Sequence, residues 1–238
     1  MDNTIRWGIL GCGNIANKFA ADLQMLSGSV LHAVASRDFA RAQYFGKKYT
    51  ANKTYSNYTD LVNDPDLNVI YVATTHNFHY EHAALCLAAN KPVLCEKPMC
   101  VNSKEAQKLV NLSRHKNIFL MEAMWTHFLP AIIRLKKDLD TKIIGIPQLV
   151  QADFGITKPL EKGSRFYEKE LAAGALLDLG IYTINFANIV FGSRPEGISG
   201  YAKFTDQGVD QLSTYNLLSV SYTHLRAHET RHDLVCRL

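Results

Sequence analysis

The sequence predicts an α/β protein: an N-terminal Rossmann domain with a doubly wound parallel sheet, then an incomplete C-terminal α+β open-sheet domain. Three observations carry this. Short apolar runs alternate with longer amphipathic ones over residues 1–122, and the first run leads straight into a glycine-rich turn. Near residue 123 the pattern changes to longer alternating stretches around one apolar helix. Strands that are apolar throughout are buried on both faces, as in a parallel sheet covered by helices, and right-handed crossovers make such a sheet doubly wound.

Taken in order, IRWGIL (5–10) reads as a buried strand and NIANKFAADLQML (14–26) as a helix. VLHAVA (30–35) and the helical FARAQYFGKKY (39–49) follow. After a short irregular piece, VIYVAT (69–74) is a strand and HYEHAALCLAAN (79–90) a helix. PVLCE (92–96), SKEAQKLVNLSRH (103–115) and IFLME (118–122) continue as strand, helix, strand. Residues 123–218 form the second domain: a helix at 131–139, an alternating strand at 146–156, a long helix at 170–191, and strand-like pieces at 197–204 and 211–218.

The 238 residues, 47% hydrophobic and 20% charged, are ordinary for a globular protein. A net charge of +4 with no Lys/Arg block argues for solvated helix faces and against a nucleic-acid partner. The five cysteines (Cys12, Cys86, Cys95, Cys100, Cys236) are odd in number and form no C-x-x-C pair, so no disulfide framework is expected. The start lacks the apolar core of a secretory leader, and no run of about 18 apolar residues occurs, so a cytoplasmic protein with no membrane partner is expected.

Between the first strand and first helix lies Gly11-Cys12-Gly13-Asn14-Ile15-Ala16, a G-x-G-x-x-A. Gly11 allows the tight turn, Gly13 lets backbone approach a pyrophosphate, and the small Ala16 lets helix pack on strand. The helix N-terminus then stabilises the phosphate charge. An NAD site usually has an Asp or Glu at the end of the second strand; this chain has Ser36-Arg37 there. A hydroxyl and a guanidinium suit a 2′-phosphate, so NADP is expected as cofactor. Asp38 is the competing ribose ligand, but past the strand end it is better placed to cap the next helix.

Further motifs are LCEKPM (94–99), a T-x-x-x-H from Thr75 to His79, MEAMWTHF (121–128), GALLDLGIY (174–182) and GVDQLSTYNLL (208–218). Together with the glycine loop, they resemble the Gfo/Idh/MocA oxidoreductases over residues 5 to about 218. The likeness is greatest to the branch that oxidises trans-dihydrodiols or D-xylose-like pyranoses with NADP. The resemblance implies hydride transfer between a CH–OH carbon and NADP, with Lys97 and Tyr182 sharing the acid–base role and Asp178 orienting them. It places Thr75, Glu96 and Lys97 at the cofactor, and His79, Trp125 and Phe154 around the substrate. It also implies a homodimer for the complete protein.

The chemistry of the residues agrees. Lys97 leaves the carboxyl end of a strand, where open α/β sheets bind ligands. Tyr182 follows Asp178 by four residues, on the same helix face. Aromatic walls suit a cyclic diol or the apolar face of a sugar. Each residue also has a plain structural reading: Lys97 an exposed turn, Tyr182, Trp125 and Phe154 core aromatics. His76 could face nicotinamide or solvent, and His127 is less informative. A non-catalytic NADP-binding relative is the alternative function.

The resemblance stops near Leu218, whereas family members continue to complete their second sheet. The remaining SVSYTHLRAHETRHDLVCRL (219–238) is read as a non-native read-through tail, and the chain as truncated. The tail contains His228-Glu229-Thr230-Arg231-His232, an H-E-x-x-H. A zinc hydrolase is the remote alternative, but a zincin needs a third ligand and only six residues follow His232. No catalytic metal is expected.

Overall fold

The computed structural model describes residues 4–157, 165–192, 194–219 and, for the backbone, 234–237. It forms two compact units, Met1–Met124 and Trp125–Leu238.

In the first unit six strands form one all-parallel sheet: β1 (Ile5–Leu10), β2 (Ser29–Ala35), β3 (Lys53–Tyr55), β4 (Val69–Val72), β5 (Val93–Glu96) and β6 (Leu120–Ala123), in the order β3-β2-β1-β4-β5-β6. Helices α1 (Asn14–Leu23), α2 (Phe39–Lys48), α3 (Tyr58–Val62), α4 (His79–Ala88) and α5 (Ser103–Lys116) alternate with them. The sheet is apolar on both sides because alternate residues feed two separate cores. Leu10, Ile70 and Val72 pack with Leu61, Leu87 and Leu109, while Ile9 and Tyr71 pack with Ala16, Ala20 and Phe45. The helix starts follow capping chemistry: Asp38, Asn57 and Asn102 each accept a hydrogen bond from the backbone N–H three residues on.

The irregular piece at 50–68 contains β3 and α3. A three-residue strand and a five-residue helix are too short to show a period. The strand order reverses between β1 and β4, and at their carboxyl ends a doubly wound sheet leaves its crevice.

In the second unit α6 (Pro130–Asp140) precedes β7 (Gln151–Asp153), and α7 (Ile181–Phe191) precedes β8 (Pro195–Phe204) and β9 (Asp210–Ser219). Two expectations are corrected here. The strand expected over 146–156 forms only at 151–153; Pro147 has no N–H to pair, and the apolar Ile146, Leu149, Phe154 and Ile156 stay exposed. The helix expected over 170–191 is broken: a 3₁₀ turn at Lys169–Leu171, a left-handed Ala172, Gly174 at φ +134°, then a π-helical turn at Leu176–Gly180 before α7.

A Cβ at Gly174 would lie 2.0 Å from Asp210 Oδ1, so glycine there lets Asp210 accept from the Leu176 N–H at 2.7 Å. By length and mean hydropathy Lys169–Phe191 reaches what a membrane span needs, although it is no uninterrupted apolar run, since Asp178 falls inside it.

Residues 219–238, read above as a non-native tail, meet the second sheet at two points. Ser219 ends β9, and Leu234–Arg237 forms β10 between β7 and β9, giving the sheet order β7-β10-β9-β8. β10 runs parallel to β7 and antiparallel to β9, meeting the unpaired backbone edges of both. The H-E-x-x-H at 228–232 lies outside the described residues.

Candidate functional site

In the first unit the expected cofactor residues gather at the carboxyl ends of β1, β2, β4 and β5. Gly11 sits at φ +99°, and a Cβ there would meet the Ala73 carbonyl oxygen at 2.9 Å and Thr74 Cγ2 at 3.0 Å. Its N–H donates to the Ala35 carbonyl at 3.0 Å, tying the turn to the end of β2. Gly13 differs. Its backbone is extended, at φ −88° and ψ −170°, and the nearest atom to an added Cβ is Ala73 O at 3.9 Å.

No protein atom therefore demands a glycine at position 13. What Gly13 does is start α1 without a side-chain cap, in front of a first turn that carries no acid. Asn14 and Ile15 are exposed and Ala16 is fully buried. Backbone N–H groups facing open space at a helix N-terminus fit a pyrophosphate. Cys12, inside the loop, donates its thiol to Ala35 O at 3.6 Å, and burial pushes its pKa up to about 12, so it is a packing residue.

At the end of β2, the buried Ser36 hydroxyl accepts from the Asp38 N–H at 3.2 Å. Asp38 is engaged as foreseen: it caps α2 through the Arg41 N–H at 3.1 Å and faces the Arg41 guanidinium at 3.8 Å. Arg37 lies 5.2 Å over the Phe78 ring. The Arg37 guanidinium thus lies over the loop after β4, and that of Arg41 beside Asp38. Arg41 was missed from the sequence; its signal was its place one helical turn after Asp38.

After β4, the Thr75 hydroxyl bonds Asn77 Oδ1 at 2.7 Å. After β5, Glu96 is buried; it accepts from the Tyr71 hydroxyl and, at 3.2 Å, from the Lys97 N–H. Burial pushes the Glu96 carboxyl above the usual carboxylate range. Lys97 is half-buried and joins Pro98 through a cis peptide bond.

His79, expected at the substrate, is 1% exposed, with Nδ1 2.7 Å from the Pro98 carbonyl and Nε2 3.0 Å from the Thr74 carbonyl. It braces the loop after β4 against the loop that carries Lys97. Burial pushes its pKa down, against the two carbonyls, which favour the charged ring. His76 is buried too, its ring 5.7 Å from that of His79. His82 bonds Thr74 Oγ1 at 3.0 Å, and burial lowers its pKa to about 4.

In the second unit the structure brings Trp125, Phe154 and Tyr182 together. The Trp125 indole N–H donates to the Tyr182 hydroxyl at 3.0 Å, and the Phe154 ring meets the Tyr182 ring edge-on at 5.5 Å. Trp125 is 53% exposed and Phe154 39%, so neither is a core aromatic. Asp178 lies 3.6 Å from Arg165, a partner the sequence did not suggest. His127 is held by Asn185 Oδ1 at 2.8 Å and Lys136 Nζ at 2.8 Å.

Comparison with known proteins follows this division. Residues 5–124 match the family model described as oxidoreductase family, NAD-binding Rossmann fold, and 132–222 match the GFO/IDH/MocA C-terminal domain. The chain is 40% identical over 216 residues to trans-1,2-dihydrobenzene-1,2-diol dehydrogenase of Danio rerio, covering 90% of this chain and 64% of that protein. To the Homo sapiens protein of the same name it is 42% identical over 213 residues, covering 88% and 63%. The chain thus spans slightly under two thirds of the length of these relatives.

Among solved structures, KijD10 from Actinomadura kijaniata, a 3-ketoreductase in complex with NADP and TDP-benzene, superposes with a TM-score of 0.87 at 26% identity, covering 99% of this chain and 70% of that one. GenD2 from gentamicin A biosynthesis, in complex with NAD, has the same fold, with a TM-score of 0.87 at 18% identity.

Proposed function

Because the chain belongs to the Gfo/Idh/MocA family of oxidoreductases, we propose that it acts with NADP on the CH–OH group of a trans-dihydrodiol or a D-xylose-like pyranose. The observation that carries this reading is the glycine turn. Gly13 has no packing reason to be glycine, and the helix N-terminus behind it is uncapped. The names of the relatives support the diol, and the pyranose rests on the resemblance of the sequence motifs. NADP rather than NAD is supported by Arg37 directly after Ser36, by Arg41 beside Asp38, and by Asp38 being taken up as a helix cap.

Bound NADP⁺ supplies the hydride acceptor, and the residues of this chain supply the proton chemistry. In oxidation the carbinol carbon loses a hydride and its hydroxyl loses a proton, leaving a carbonyl, NADPH and H⁺. Tyr182 is the group that takes this proton. The Trp125 N–H points at the tyrosine oxygen and offers a donor to negative charge arising there. The exposed faces of Trp125 and Phe154 give the substrate ring an apolar wall.

Lys97 shares the acid–base role from its place after β5, with His79 holding its loop, and Asp178 is the orienting carboxylate of the second unit. Ser36, Arg37, Thr75 and Glu96 serve the cofactor with the glycine turn. The complete protein acts as a cytoplasmic homodimer.

The test is NADPH formation from NADP⁺ with trans-1,2-dihydrobenzene-1,2-diol and with D-xylose, beside calorimetric titration of NADP⁺ and NAD⁺. Turnover that Tyr182→Phe abolishes, with NADP⁺ bound more tightly than NAD⁺, supports the reading. Tight NADP⁺ binding with no turnover on either substrate would replace it with a non-catalytic binding protein.

A further inference from the structure

A second group of chemistry-bearing side chains lies at the other end of the first unit's sheet. His32, Asp64 and Asp66 are brought together there, with one donor atom from each within 4.8 Å of the others. His32 lies level with Trp7 and Gly8 of β1, about 11 Å along the strand from the glycine turn. Nothing in the proposed reaction uses these residues.

Three features point to a ligand. First, His32 Nε2 is buried and has no hydrogen-bond partner, although the ring is 9% exposed and its nitrogen lies 3.8 Å from Asp64 Oδ2 and 3.7 Å from Asp66 Oδ2. An unsatisfied buried nitrogen costs free energy that a bound cation would recover. Second, His32 is presented by a bulge: Leu31 opposes Trp7 and Ala33 opposes Gly8, which leaves His32 as the extra residue of β2. Bulges re-aim a side chain.

Third, the place already holds a cation. The Lys53 ammonium sits 3.0 Å from Asp64 Oδ1 and 2.8 Å from Asp66 Oδ2, on a side chain 37% exposed that can swing outward. Displacing the ammonium frees both carboxylates to meet a divalent ion, while the charges of Arg6 and Lys91 stay on the backbone carbonyls of the same loop.

The surroundings hold the donors in place. Asp64, its side chain fully buried, accepts from the Tyr55 hydroxyl at 3.0 Å and the Asp66 N–H at 3.0 Å. From below, Lys91 Nζ donates to the Asp64 and Leu67 carbonyls at 2.6 and 3.0 Å, and Arg6 Nε donates to the Asp66 carbonyl at 2.7 Å. A cleft of about 470 Å³ lined by Arg6, His32, Asn52 and Asp66 gives solvent entry. Zinc bound at 2.0–2.1 Å in a tetrahedron separates its ligand atoms by about 3.4 Å, so the His32 nitrogen closes on each carboxylate by a few tenths of an ångström from 3.8 and 3.7 Å, and the two carboxylates, within 4.8 Å of each other, turn inward to complete the set.

We infer that His32, Asp64 and Asp66 form a divalent transition-metal site, of the zinc class, that exchanges with the Lys53 ammonium. One imidazole and two carboxylates match borderline ions such as zinc better than calcium or magnesium, which take oxygen alone. Water completes the coordination, and the Tyr55 hydroxyl orients Asp64 from outside it. The site pins the loop before β4 to β2 and is independent of the reaction proposed above.

The experiment is calorimetric titration of the full chain with zinc chloride. His224, His228 and His232 are replaced by alanine throughout, because histidines four apart can themselves bind zinc. One equivalent of zinc is expected. Affinity falls at least about tenfold in His32→Gln and in Asp66→Asn, and rises in Lys53→Met, where the competing ammonium is gone. Asp66 is half exposed, so its variant remains informative if His32→Gln fails to fold by circular dichroism. The inference is overturned if the tail-substituted chain takes up no zinc, or if Asp66→Asn and Lys53→Met bind it as the parent does.

Discussion

Adding a single methyl group at Gly11 and at Gly13, two residues apart in one turn, should have opposite consequences. In Gly11→Ala the new Cβ is forced to φ +99° and to within 2.9 Å of the Ala73 carbonyl oxygen and 3.0 Å of its carbon. The left-handed backbone costs about 1–2 kcal/mol, and the overlap with the backbone just after β4 about 1–3 kcal/mol more. In Gly13→Ala the backbone is already extended and nothing lies nearer than 3.9 Å. Reduced freedom of the unfolded chain stabilises by about 0.4–1 kcal/mol, and the poorer N-cap offsets a similar amount.

Urea or thermal unfolding should therefore place Gly11→Ala at least about 2 kcal/mol below the parent and Gly13→Ala within about 0.5 kcal/mol of it. Calorimetry with NADP⁺ should then show Gly13→Ala losing at least about tenfold in affinity, because its methyl group stands where the pyrophosphate approaches. Two results would refute the reasoning. One is a Gly13→Ala protein as destabilised as Gly11→Ala. The other is a stable Gly13→Ala protein that binds NADP⁺ as the parent does.

Two further outcomes test the second unit and the pH dependence. Tyr182→Phe should lower kcat by about a hundredfold or more with NADP⁺ binding intact, and Trp125→Phe by about five- to tenfold, as one hydrogen bond of about 1 kcal/mol is lost. In the double variant Trp125→Phe should add nothing, since the oxygen it serves is gone; a multiplicative loss in steady-state kinetics would separate the two residues. His82 takes up its proton near pH 6.5 in the unfolded chain but only at about pH 4 in the folded one, so its contribution is complete above 6.5 and is lost as pH falls toward 4. That amounts to about 3 kcal/mol at most, and urea unfolding from pH 7 to pH 4 should show a shallower loss in His82→Gln than in the parent. Identical slopes would place the acid sensitivity elsewhere.

The first unit was legible almost element by element. β1 and α1 begin where the apolar period and the glycine turn place them, at Ile5 and Asn14, and the capping role of Asp38 followed from its position alone. These are short-range properties: burial on two faces, turn chemistry and capping act within a few residues of chain. The second unit was less legible for the same reason. Its long apolar stretch has the composition of one helix, yet Gly174 takes φ +134° because the Asp210 carboxylate, far along the chain, occupies the space a Cβ would need. The Trp125–Tyr182 hydrogen bond joins residues 57 apart, and only the motif resemblance had linked them.

By itself the sequence determined the doubly wound sheet and the dinucleotide turn, since each is encoded in contiguous residues whose period or geometry admits few alternatives. Tertiary structure alone decided what those residues face. It left the space beside Gly13 open, buried His79 between two carbonyls, and set Trp125 and Phe154 around Tyr182 in the open. It also joined His32 to Asp64 and Asp66 through a bulge in β2 and the β2–β3 and β1–β4 pairings. Strand register brings distant segments within bonding distance, and no local pattern in a chain specifies which polar atoms then meet.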